Sequence, residues 1–134
     1  RVEAEIDSDF QPKGGLAQQK GNRLPDAPEL KWSVSAAYMF PVMDGIEGEV
    51  RLDWSGQDKS WSDVSNTLEI PRYDIANIRL TVSEAAENKW RVSLYARNLS
   101  DDEILVWNGG TSLFGTVNSY ARPRNYGLEA TFEF

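Results

Sequence analysis

Apolar residues recur at every second position through six separate segments of the chain, and in all six they fall on even numbers. The last segment sets Tyr126, Leu128, Ala130, Phe132 and Phe134 on one side, with Gly127, Glu129, Thr131 and Glu133 on the other. A period of two belongs to an extended strand, whose successive side chains point to opposite faces. Val2 to Ile6, Trp32 to Phe40, Val50 to Trp54, Ala76 to Val82 and Trp90 to Ala96 repeat the pattern. No stretch of useful length fits a helical period better. The chain is expected to be all-β: about six antiparallel up-and-down strands, each with one apolar and one polar face.

Such a sheet needs either a second sheet or lipid against its apolar side. The connections point to lipid. Residues 8–28, 57–72 and 98–123 are long links rich in Gly, Pro and polar residues, whereas the links around Asp44-Gly45 and over 84–89 are short. Long and short links alternate, so up-and-down strands place all long loops at one end, as membrane barrels do. Aromatic residues then collect near strand ends. Tyr38, Phe40, Trp90, Phe132 and Phe134 fall at the short-turn end, and Trp32 and Tyr126 at the long-loop end. Two interfacial belts need this placement, because an amphipathic ring sits well between headgroup and hydrocarbon. Ten residues tilted near 45° cover roughly 24 Å, close to the apolar band of such barrels. A soluble β-sandwich that binds carbohydrate through loop aromatics is the alternative, since its strands alternate too.

Composition narrows the function. The 134 residues hold no run approaching the roughly 18 apolar residues of a spanning helix, which leaves the β route across a bilayer open. A net charge of -7 argues against nucleic acid as a partner. Cysteine and histidine are absent, which removes disulfides, thiolate metal sites, the usual general base and every histidine-dependent triad. No catalytic residue, metal site or cofactor is expected. The start at Arg1, inside an alternating segment, suggests a piece of a longer chain.

Four elements in order resemble the last strands of a TonB-dependent outer-membrane receptor. WRVSLYARNLSD (Trp90–Asp101) is similar to the family's penultimate strand running into "N-L-[ST]-D". The ending from Ala121 to Phe134 resembles its "P-R-x-[YF]-G" entry to a final strand that closes on an aromatic. NRLPDAP (Asn22–Pro28) and YDIAN (Tyr73–Asn77) resemble two upstream strand approaches. The resemblance implies that residues 1–134 form the C-terminal segment of a large transmembrane β-barrel, one of 22 strands with a plugged lumen. It implies uptake of a scarce ligand, such as a ferric siderophore, energised through TonB. The alternatives within its reach are cobalamin, an oligosaccharide, or a passive porin-type channel. The implied partners are the outer-membrane bilayer, the protein's own plug and remaining strands, TonB through a missing N-terminal part, a small-molecule ligand and the barrel-assembly machinery. For that machinery Tyr126, Gly127, Leu128, Phe132 and Phe134 resemble the assembly signal.

Several other motifs have plainer readings. Asn98-Leu99-Ser100 matches a glycosylation sequon, read here as a strand end. Gly109, Gly110 and Gly115 lack the Lys-Ser/Thr of a phosphate loop. Asp101, Asp102 and Glu103 do not have calcium-loop spacing, and Glu49 and Asp53 read as alternating charges on a lumen wall. Trp107, Asn108, Phe114, Asn118 and Tyr120 share the longest loop and are the expected ligand contacts, with packing of the loop as the competing role.

Overall fold

The computed structural model describes residues 3–15, 17–86, 89–111 and 115–133. Among them the strands are β1 (Lys31–Met43), β2 (Ile46–Gln57), β3 (Ser60–Trp61), β4 (Glu69–Ile70), β5 (Tyr73–Glu84), β6 (Trp90–Arg97), β7 (Leu105–Thr111), β8 (Gly115–Tyr120) and β9 (Asn125–Phe132). Every described strand pairing is antiparallel, and no described residue is helical. One five-stranded sheet runs β1-β2-β5-β6-β9, and β3-β4 and β7-β8 form two small separate sheets. Chain neighbours in the large sheet are also spatial neighbours, so it is a meander. The small sheets interrupt the two long connections.

The chain divides into two compact units. One holds Ser33–Ser55, Ile75–Asp102 and Arg122–Phe134, which is most of the large sheet. The other holds Arg1–Trp32, Gly56–Asp74 and Glu103–Ala121, which is the long connections with their small hairpins.

In the sheet, the even-numbered rhythm becomes geometry. Leu80 stands opposite Leu94 and Leu94 opposite Leu128, while Ile78, Ala96 and Tyr126 make the adjacent row. The odd row between them is Arg79, Tyr95 and Gly127, and beyond it Thr81, Ser93 and Glu129. The first short turn is tighter than its sequence suggests. Although Pro41 and the residues up to Glu47 read as turn, β1 runs to Met43 and β2 starts at Ile46. Only Asp44 and Gly45 remain, with Gly45 at φ +73°, a conformation that glycine adopts without a Cβ penalty.

Two expectations change. The alternating start does not supply a sixth strand to the sheet. Ile6 donates to the Asn22 carbonyl at 2.8 Å and Leu24 donates to that of Ala4 at 3.1 Å, around a single bridge between Glu5 and Arg23. The segment's backbone at Ala4 and Ile6 thus pairs with the loop that follows and not with a strand of the large sheet. The connection over 98–123, expected to lack strands, contains β7 and β8. Their hairpin carries a register irregularity between Leu105 and Trp107, which breaks the two-residue rhythm that would reveal it.

Candidate functional site

The large sheet is inverted relative to a water-soluble one. On its even face Leu80, Leu94 and Leu128 are 40%, 55% and 68% exposed, and Val34, Tyr38, Leu52 and Phe132 are exposed with them. On its odd face Ser93 is 2% and Thr81 8% exposed, and their hydroxyls share a hydrogen bond at 2.9 Å. Burying paired hydroxyls while presenting leucines outward is unfavourable in water, where apolar area drives the reverse arrangement. No described strand covers the leucines.

Charged and aromatic groups interlock over the polar face. Arg79 pairs with Glu129 at 2.9 Å, and its guanidinium carbon lies 5.4 Å from the Tyr95 ring centroid. Arg97 stacks on the same ring at 4.8 Å. Beneath it lies Gly127, where an added Cβ would meet the Tyr95 ring at 2.3 Å. Glycine leaves the space into which a cross-strand aromatic folds. Asp53 accepts from Ser35 at 2.6 Å and pairs with Arg51 at 3.0 Å, so it is engaged in the wall.

Two motifs that are distant in sequence meet at the β6–β9 end. Asn98, buried at φ +53°, donates from its side-chain amide to the carbonyls of Asp102 and Arg122 at 3.0 and 3.4 Å. Its backbone N–H donates to the Asn77 side chain at 3.1 Å. Asp101 accepts from the Arg124 backbone at 3.0 Å and pairs with its guanidinium at 3.2 Å. The sequon asparagine and the first acid of the Asp-Asp-Glu run thus fasten the chain entering β9.

The unit of long connections is organised by side chains that replace backbone partners. Asn66 accepts from the Arg23 N–H at 2.8 Å and returns a bond to its carbonyl at 3.0 Å, while Asn22 donates to the Val64 carbonyl at 2.9 Å. Asp63, 7% exposed, accepts from the backbone of Ser65, Thr67 and Leu68 and from the Thr67 hydroxyl. Burial alone would raise its carboxyl, but these four donors outweigh that and hold it below the ordinary carboxylate value. A cavity of about 700 Å³ opens in this unit, bordered by Trp61, Lys59, Glu69, Arg23 and Arg72 among others.

The described members of the expected loop contacts divide between the two faces of one hairpin. Asn108, Asn118 and Tyr120 share one face of the β7–β8 hairpin, and Trp107 lies on the other beside Gly109. Asn108 is buried and donates to the Glu69 carbonyl at 3.1 Å, and Asn118 donates to the Tyr120 hydroxyl at 3.3 Å. Trp107 and Tyr120 are exposed. Phe114 lies outside the described residues, as does Phe134.

Of the expected interface aromatics, Tyr38 and Phe40 are stacked at 6.1 Å near the end of β1. Trp90 stands opposite Phe132, and Tyr126, with Gly127 and Leu128 behind it, lies near the start of β9. Trp32, near the start of β1, packs against Gly56. Trp54 is exposed near the end of β2, an aromatic of the same face that belongs with these by position.

No curated protein and no solved structure matches the chain. A family model described as "TonB dependent receptor-like, beta-barrel" matches residues 4–99, more than half of the sequence. The inverted sheet, its meander order and this match agree, and the chain belongs to the TonB-dependent receptor-like β-barrel family.

Proposed function

We propose that residues 1–134 are the C-terminal barrel segment of an outer-membrane receptor that takes up a scarce ligand with energy delivered through TonB. Members of this family are transporters of the bacterial outer membrane and not enzymes. The observation that carries the reading is the sheet that turns Leu80, Leu94 and Leu128 outward and buries Ser93 and Thr81. In a barrel wall the first set meets lipid and the second faces the polar lumen.

The proposed partners follow from that placement. The even face contacts the bilayer, with Tyr38, Phe40, Trp90, Phe132 and Phe134 at one interface and Trp32 and Tyr126 at the other. The odd face adjoins the plug and β1 and β9 adjoin the remaining strands. The long connections face the medium, where exposed Trp107, Asn118 and Tyr120 are available to a ferric siderophore, cobalamin or an oligosaccharide. Tyr126, Gly127, Leu128, Phe132 and Phe134 serve the assembly machinery as a recognition strand. Deleting Phe134 is expected to reduce the assembled receptor in cells more than it lowers the stability of folded protein. Normal insertion of that truncation would remove the assembly role.

The whole reading is tested by locating the full-length protein and following uptake in cells with and without TonB. Retention in the outer-membrane fraction after alkaline washing, and ligand accumulation that stops without TonB, are expected. Release as a soluble protein would contradict the barrel, and uptake unchanged without TonB would favour a passive channel.

A further inference from the structure

The cavity at Trp61 is built from two segments that the loop's hydrogen bonds hold together. The β3–β4 hairpin sets Trp61 opposite Glu69 in register, so both side chains lie on one face of the hairpin, and both line the opening. Lys59, one strand repeat before Trp61, holds its ammonium 5.4 Å from the ring centroid and 3.2 Å from the Glu69 carboxylate. Across the opening Arg23 pairs with Glu29, and Asn66 fixes the Arg23 backbone on both its N–H and its carbonyl. Arg72 and Asp58 complete the charged lining, one of each sign.

We infer that this cavity is a binding site for a neutral oligosaccharide. It rests on the receptor reading and names the ligand class that the long connections take.

Three features carry the assignment. The lining charges cancel, with three cations against three carboxylates, and two of the pairs are closed. A multiply charged chelate would need uncompensated charge of the opposite sign, which this cavity does not offer. Sugar hydroxyls both donate and accept, so a guanidinium beside a carboxylate satisfies them without any net charge. Trp61 supplies the apolar component. One face of a pyranose ring presents only C–H groups, which are drawn to the electron-rich face of an indole. Lys59 currently caps that ring, but its side chain is 57% exposed, so a sugar can displace it at small cost. The asparagine bridges and the Asp63 loop form the wall before any ligand arrives, which limits the ordering cost of binding.

Calorimetric titration of the full-length receptor, in a detergent without a sugar headgroup, tests this with maltohexaose, xylohexaose and ferric citrate. At least one oligosaccharide is expected to bind with Kd below about 1 mM, and ferric citrate is not expected to compete with it. Trp61→Ala should weaken that binding by about tenfold or more, and Trp61→Phe by less. If Trp61→Ala fails to assemble, Arg72→Ala at the rim should still weaken binding by about threefold. Absence of oligosaccharide binding, or binding insensitive to both Trp61 and Arg72, overturns the site. TonB-dependent uptake without oligosaccharide binding removes this inference alone. Oligosaccharide binding by a protein found outside the outer membrane keeps the site and removes the receptor reading.

Discussion

Leu80 and Arg79 are consecutive, yet their side chains meet opposite environments. Leu80 stands in the outward row with Leu94, and Arg79 lies over Tyr95 and pairs with Glu129. Leu80→Arg, a charge placed on the proposed lipid face, should cost about 2–4 kcal/mol. Arg79→Leu forfeits one exposed ion pair and one ring contact, about 1 kcal/mol together. Urea unfolding of the full-length protein in lipid vesicles compares the two, and equal losses would contradict the assigned faces, because a one-residue slip exchanges them.

Gly127 gives a second test at the same scale. Gly127→Ala forces the Tyr95 ring from between Arg79 and Arg97, at a cost of about 1–2 kcal/mol. With Tyr95→Ala already present the space is open, and the same change should stabilise by about 0.5–1 kcal/mol, the usual advantage of Ala over Gly in a strand. A double-mutant cycle by the same unfolding measurement checks the change of sign. Additive effects would mean that the ring and the glycine are uncoupled.

Among the elements, the loop around Asp63 has a defined response to acid. Its carboxyl is held below the ordinary value in the folded protein, so the folded loop binds its proton less readily than the unfolded chain does. The stabilisation is therefore present above the unfolded carboxylate value, near 3.8, and is lost as pH falls through the lower folded value. Hydrogen exchange at the Thr67 and Leu68 amides, which bond to this carboxylate, should show protection that declines in that acidic window. Asp63→Asn should abolish the pH dependence and weaken protection at neutral pH. Protection unchanged by the substitution would show that other contacts hold the loop.

The elements also differ in how openly the sequence displays them. β1, β2, β5, β6 and β9 were readable because each is long enough for alternation to repeat several times. β3 and β4 span two residues each, too few for any period to be seen. β7 passes through Gly109-Gly110 after its irregularity near Val106, and neither feature resembles a regular strand. Val117 and Tyr120 in β8 were a usable signal, since β-branched and aromatic residues favour strands. The opening segment alternated convincingly but found its partners in the adjacent loop.

At the scale of the whole molecule, local pattern carries information about the wall and little about the site. The family motifs were visible as words, but their physical role appears only when Asp101 is seen gripping Arg124. The Trp61 cavity was hidden for a different reason. Its lining comes from residues 21–29 and 58–72, joined through asparagine side chains that bond to distant backbone, and no spacing rule links those positions. The even-numbered rhythm, by contrast, survives across the two long connections between strands of the large sheet and keeps Val34, Leu52, Leu80, Leu94 and Leu128 on its exposed face.

That common orientation is open to direct measurement, since these 134 residues contain no cysteine to interfere. Single cysteines placed in turn at positions 78 to 83 of the full-length protein, spin-labelled and reconstituted in lipid, report collisions with oxygen and with a water-soluble nickel complex. Oxygen, concentrated in hydrocarbon, should reach 78, 80 and 82 preferentially, and the nickel complex should not. Preferential collision of the nickel complex with 78, 80 and 82, or accessibility without a two-residue period, would contradict a lipid-facing even face and the barrel built on it.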